Sequence, residues 1–146
     1  MNRLESPVGE IRWEETPQGI SAEGKLPQTA EFFKDHFPAF PVLPGVLTLE
    51  IFKKIAEDFS IRKMENPEMP RRLARLTHLS GVRFSAYLRP GEDWTARLEH
   101  ENKEGRIHWK ASLSSRGQLA AQARFILEPV SIMTVTDNEN GRVYGS

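Results

Sequence analysis

The chain has 146 residues, with 20 Lys+Arg against 20 Asp+Glu and no cysteine. The length is that of one ordinary domain, the balanced charge excludes a basic field for nucleic acid, and the lack of cysteine excludes disulfides, thiolate catalysis and cysteine-ligated metals. No apolar signal-peptide core and no apolar run near the roughly 20 residues that span a bilayer are present, so we expect a soluble cytoplasmic protein.

The first half of the chain predicts two short strands and one helix. The strands are GEIRWEE and GISAEGKL, joined by turn-forming residues at 16–19. In the next segment, EFFKDHFPAFPVLPGVLTLE, three prolines favour an extended path, because proline fixes its own φ and disfavours a helical preceding residue. A helix is predicted from about Gly45 to Ile61, since its apolar residues form one stripe. The stripe consists of Val46, Leu49, Phe52, Ala56 and Phe59.

After residue 73 the apolar period changes to two. LARLTHLSGVRFSAYL predicts a long strand with Gly81 as a candidate bulge, and three further alternating segments are separated by turns at 89–92, 102–105 and 116–117. The sum predicts an α+β domain over residues 1–128, in which an antiparallel sheet wraps around one central helix. Residues 129–146 show little periodicity and are expected to form a peripheral or partly ordered tail.

The proline-rich segment carries the candidate chemistry. His36 suits a general base, and Glu50 suits its complementary acid if an apolar site raises its pKa. The amides of Gly45 and Val46 fall at a helix start, where they would stabilise a carbonyl oxygen that gains negative charge. The alternative is structural: a loop histidine bonded to a carbonyl, and a Glu50–Lys54 ion pair on a helix surface.

The same segment resembles the signature of the β-hydroxyacyl-acyl-carrier-protein dehydratases, which have the hot-dog fold. Its residues fall in register with the motif G-H-F-P-x-x-P-V-x-P-G-V-x-x-x-E, and GVRFSAYLRPGEDW resembles a later strand of that family. The matching positions of the first motif are His36, Phe37, Pro38, Pro41, Val42, Pro44, Gly45, Val46 and Glu50. The resemblance is strong over about 31–54 and 79–94 and weaker up to about 128.

The resemblance implies dehydration of a β-hydroxyacyl thioester to the trans-2-enoyl thioester. His36 would remove the C2 proton, Glu50 would protonate the departing 3-hydroxyl, and the Gly45 amide, beside Val46, would hold the thioester oxygen. Phe37 and Pro44 are the further candidate substrate-binding residues. In the family the base and the acid of one site come from different subunits, which implies a homodimer. No metal or cofactor is implied, because the substrate arrives on the phosphopantetheine of acyl carrier protein or on coenzyme A.

Two other functions stay open. A hot-dog acyl thioesterase uses a carboxylate to promote attack on a thioester, and a non-catalytic hot-dog protein would bind acyl carriers. The second is suggested by Asp35, where the family has glycine, and by Lys54, where it usually has glutamine.

Other notable residues have structural interpretations. His78, His100 and His108 lack metal-ligand spacing, and His108 is expected to face outward. The three tryptophans are expected in the core or at a dimer interface. A basic cluster of Lys63, Arg71, Arg72 and Arg75 is a candidate surface for an acidic carrier protein.

Overall fold

A computed structural model describes residues 1–28, 43–63 and 73–130, with backbone alone for 73–75 and 129–130. Seven strands and one helix occur in these ranges. They are β1 (Asn2–Ser6), β2 (Gly9–Thr16), β3 (Gly19–Lys25), α1 (Gly45–Lys63), β4 (Leu73–Phe84), β5 (Asp93–Lys103), β6 (Arg106–Ser115) and β7 (Gln118–Val130).

The strands form one sheet in the order β1-β2-β3-β5-β6-β7-β4, and every neighbouring pair is antiparallel. β4 follows the helix in sequence but lies at the far edge, paired with the last strand, β7. A bulge interrupts β4 between Ser80 and Arg83, where Gly81 has φ 59°. The predicted bulge at Gly81 is therefore confirmed, since only glycine adopts a positive φ there at little cost.

Two tight hairpins join β5, β6 and β7. Glu104 and Gly105 have φ 53° and 77°, and Arg116 and Gly117 have φ 54° and 73°. Two consecutive positive φ values define the type I′ turn, whose twist matches that of the flanking strands. The predicted turns at these positions are confirmed.

The core lies between α1 and one face of the sheet. Ile51, Phe52, Ile55, Ala56 and Phe59 of the helix are at most 5% exposed, and the alternate residues of β5 and β6 meet them. The three tryptophans are each 2% exposed and belong to this core, which confirms one of their two predicted placements. They are Trp13, Trp94 and Trp109. Burial of such side chains contributes about 1.5–3 kcal/mol each.

Several boundaries differ from prediction. β1 was not predicted, because Leu4 is the one apolar residue in its NRLES sequence and gives no alternating signal. α1 continues to Lys63, and β7 continues to Val130, beyond the predicted domain boundary at 128. β4 ends at Phe84 rather than near residue 88, because the amides of Ser85 and Ala86 both bond to one carbonyl, that of Ala120, at 2.7 and 3.3 Å.

Within the described ranges, α1 is too polar to cross a lipid bilayer.

Candidate functional site

The site is built on the first turn of α1. The carbonyl of Pro44 accepts hydrogen bonds from the amides of Leu47 at 3.0 Å and Thr48 at 3.4 Å, so the helix begins at Gly45, as predicted. The amides of Gly45 and Val46 have no backbone partner among the described residues. Unpaired amides at the positive end of a helix attract negative charge. The first turn also lacks an acidic residue that would compete for them.

A cavity of about 250 Å³ opens beside this turn. Its helix wall is formed by Gly45 and Thr48, and its sheet wall includes Phe84 from β4 and Ala120 and Ala121 from β7. The small alanine side chains leave the space empty. The cavity is largely apolar and adjoins free amides, which is an arrangement suited to a thioester with its acyl chain.

Gly45 is required by the close approach of Phe84. A β-carbon placed on Gly45 would lie 2.8 Å from Cζ of Phe84 and 3.0 Å from Cε2. Real β-carbons do not approach other carbons so closely, so any larger residue would displace the ring. Phe84 therefore packs directly against the amide end of the helix.

Glu50 lies on a different face of the helix from this cavity. At 100° per residue it is roughly 200° around the helix from Thr48, and it shares its face with Val46, Lys53 and Glu57. Val46 is 71% exposed, so the prediction that it belongs to the buried stripe is wrong. Glu50 is partly exposed and forms no ion pair with Lys54 or another described residue, which removes the surface-pair alternative. This face of α1 is left uncovered by the described part of the chain.

The Glu50 face has coupled charges. Burial raises the pKa of Glu57, and Glu50 raises it further by repulsion, while Lys53 and Lys54 oppose the change. The ion pair on this face joins Lys53 Nζ to Glu57 Oε2 at 3.9 Å. The carboxyl groups at 50 and 57 thus influence each other's protonation along the helix.

Two of the candidate residues, His36 and Phe37, lie outside the described residues, as does Asp35. The approach of His36 to Glu50 therefore stays a prediction. The basic cluster is likewise mostly outside, and its member Lys63 pairs with Glu15 at 3.1 Å.

The histidines lie away from the cavity. His78 and His108 line a groove of about 560 Å³ on the sheet face opposite the helix, and His108 faces outward as predicted. His100 packs on the helix side, its ring 4.8 Å from Phe59 and 5.0 Å from Trp109. No group of three metal-ligating side chains occurs in the described ranges.

Thr48 and Phe84 were not singled out from the sequence. Thr48 carries a usable signal, because residue i+3 from Gly45 shares its helix face. Phe84 carries a weaker one: it lies in the strand segment GVRFSAYL, but only the strand's end at this residue brings its ring to the helix.

The fold defines the class of protein. A hot-dog-like protein from Thermanaerovibrio acidaminovorans superposes with a TM-score of 0.69 at 14% identity, covering 89% of this chain and 95% of that one. The dehydratase heterocomplex ApeI:P from Xenorhabdus doucetiae gives 0.58 at 23% identity, with 87% and 98% covered. The fluoroacetyl-CoA thioesterase FlK gives 0.66 at 14%, with 84% and 94% covered. The predicted hot-dog fold is confirmed.

Sequence comparison identifies the family. The family model described as ApeI dehydratase matches residues 12–124, and the chain belongs to this ApeI-like dehydratase family. The 3-hydroxyacyl-acyl-carrier-protein dehydratase FabZ of Anaeromyxobacter dehalogenans (strain 2CP-1) is 33% identical over 97 residues, which cover 65% of this chain and 62% of that protein. FabZ of Bacillus cereus (strain AH820) is 33% identical over 111 residues, covering 74% and 75%. The match to the Anaeromyxobacter protein thus spans less than two thirds of its length.

Proposed function

We propose that the protein dehydrates a 3-hydroxyacyl thioester, carried on acyl carrier protein, to the trans-2-enoyl thioester. The observation that carries the proposal is the start of α1: free amides at Gly45 and Val46 adjoin an apolar cavity, in a chain of the ApeI-like dehydratase family. The FabZ relatives act, by name, on carrier-bound 3-hydroxyacyl groups. Pro44 supports the geometry by capping the turn, since its carbonyl accepts two amides.

In the proposed reaction His36 accepts the proton from C2. The electron pair of that C–H bond moves toward C1, and the thioester oxygen gains negative charge, which the Gly45 amide stabilises. The pair then forms the C2–C3 double bond as the C3–O bond breaks, and Glu50 gives its proton to the departing hydroxide, so that water leaves. Phe37 is proposed to line the acyl site. The two side chains carry the protons, so the reaction needs no metal, and EDTA should leave the rate unchanged.

The proposed active unit is a homodimer. β4 is a sheet edge in the described part of the chain, and its unpaired backbone groups accept another strand. Its apolar side chains are incompletely covered: Leu79 and Phe84 are each 43% exposed and Val82 is 38% exposed. A second copy placed along this edge would cover them, together with the uncovered Glu50 face of α1. Glu50 would then meet the site of the partner rather than the cavity of its own chain.

The experiment follows enoyl absorbance and free thiol in parallel, with 3-hydroxybutyryl and 3-hydroxydecanoyl groups on acyl carrier protein and on coenzyme A. Growth of the enoyl band supports dehydration, whereas thiol release without it would assign a thioesterase, and neither signal would assign a binding protein. His36→Ala and Glu50→Gln should each lower kcat by at least 10²-fold. Glu57→Gln is the matched control, since it removes a carboxylate from the same helix face. Near-normal turnover in either site variant would overturn that residue's role.

A further inference from the structure

The Thr48 side chain is a buried polar group without a partner. It is 4% exposed, and its hydroxyl has no hydrogen bond among the described residues. Ser60, on the same helix, shows the usual solution, because its hydroxyl donates to the carbonyl of Ala56 at 2.8 Å. For Thr48 the equivalent carbonyl is that of Pro44, which already accepts two amides. A buried hydroxyl without a partner costs about 1–3 kcal/mol, so its retention calls for a role.

The unpartnered hydroxyl is open to the cavity. The fully enclosed side-chain atoms without a partner in the described ranges are Trp94 Nε1 and Trp109 Nε1. The Thr48 hydroxyl is not among them, although the residue as a whole is buried, and Thr48 lines the 250 Å³ cavity. A molecule in that cavity can therefore reach it.

The helix aims this side chain at the free amides. Side chains of an α-helix tilt toward its N-terminus and lie over the preceding turn. The turn that precedes Thr48 is the one that contains Gly45, three residues back on the same face. Phe84, which packs against Gly45, closes the space on the sheet side. The hydroxyl and the Gly45 amide thus adjoin the same end of the cavity.

We propose that the Thr48 hydroxyl is a second donor to the thioester oxygen of the bound substrate, beside the amide of Gly45. The inference rests on the proposed function and adds a residue to it. As the C2 proton leaves, the oxygen gains charge and both hydrogen bonds strengthen; when the C3–O bond breaks, the charge returns to carbon and both weaken. The interaction is strongest when the charge is largest, so it lowers the barrier rather than only binding substrate.

The test compares Thr48→Val, which keeps the shape and removes the hydroxyl, with Thr48→Ser, which keeps the hydroxyl. We expect kcat of the valine variant to fall by about 10²-fold with little change in KM, as for loss of one oxyanion donor, and the serine variant to stay within about threefold. The melting temperature of T48V should be equal to or above that of the unaltered protein, because no hydrogen bond within the protein is lost. Equal loss in both variants, or none in T48V, would overturn the inference.

A second readout separates this inference from the proposed dehydration. Butyryl-pantetheine carrying a 1-¹³C label binds without reacting, and the infrared band of its carbonyl reports hydrogen bonding to the oxygen. The band of the bound ligand should move to higher frequency in T48V and stay in place in T48S. If the protein fails to dehydrate any 3-hydroxyacyl thioester but shows this shift, the donor role stands and the dehydratase proposal falls. Failure of the thioester to bind, or identical bands in all three proteins, would overturn the donor role.

Discussion

The packing of Phe84 on Gly45 predicts a specific steric coupling. In Gly45→Ala the new methyl would lie 2.8 Å from Cζ of the ring, so the ring must move. Overpacking costs about 1–3 kcal/mol, and because Phe84 is 43% exposed the ring can swing outward, so we expect the lower end, about 1 kcal/mol. For a chain of this size, that corresponds to a melting temperature lower by about 3 °C.

The coupling is measured with a double-mutant cycle. Phe84→Leu removes the ring atoms that the methyl would meet, so G45A should destabilise the F84L protein by about 1 kcal/mol less than it destabilises the unaltered one. Denaturant unfolding of the four proteins, at one protein concentration because a dimer is proposed, gives the interaction energy. Turnover should follow the same pattern, since a displaced ring enters the cavity. Effects that add within about 0.4 kcal/mol would refute the steric explanation of the glycine.

Three further predictions concern other parts of the chain. Because burial raises the pKa of Glu57 above its ordinary value of 4.5, folding favours the protonated form, and stability falls as the pH rises from 4.5 through the folded-state pKa; Glu57→Gln should fall less over this window in pH-dependent denaturation, and equal slopes would contradict it. Trp13→Phe should lower the free energy of unfolding by about 1.5 kcal/mol, since it removes the 2.8 Å hydrogen bond to Asp58; a loss below about 0.5 kcal/mol would mean that the bond contributes little. Leu79→Lys should convert a dimer to monomers in sedimentation while Leu119→Lys, 44% exposed on β7, does not; equal behaviour of the two would exclude the β4 edge as the interface.

The sequence was most informative where side-chain periodicity and turn chemistry are local. The strands after residue 92 alternate cleanly, and the glycine-containing turns between them need positive φ, so both their position and their pairing could be predicted. β1 could not be predicted, because an edge strand with one apolar residue pairs through backbone groups that any sequence provides.

Predicting the site depended on a motif rather than on geometry. The helix start at Gly45 follows from the proline that precedes it, and the structure agrees. The exposure of Val46 could not be predicted, because residues 46 and 49 both fit an apolar stripe and only packing decides which side meets the sheet. The cavity depends on contacts between residues far apart in sequence, such as Gly45 with Phe84, and no local pattern encodes these.

The place of β4 in the sheet also constrains the order in which the chain can fold during translation. Leu76 is opposite Leu127, so the strand that follows the helix has no neighbour in the sheet until the ribosome has made β7. At about 5–20 residues per second, this delay lasts several seconds, in which an apolar strand is exposed to other nascent chains. The unpaired interval makes β4 the segment on which chaperones that bind extended apolar peptides would act, whereas the β1–β2–β3 meander can close as soon as it is synthesised.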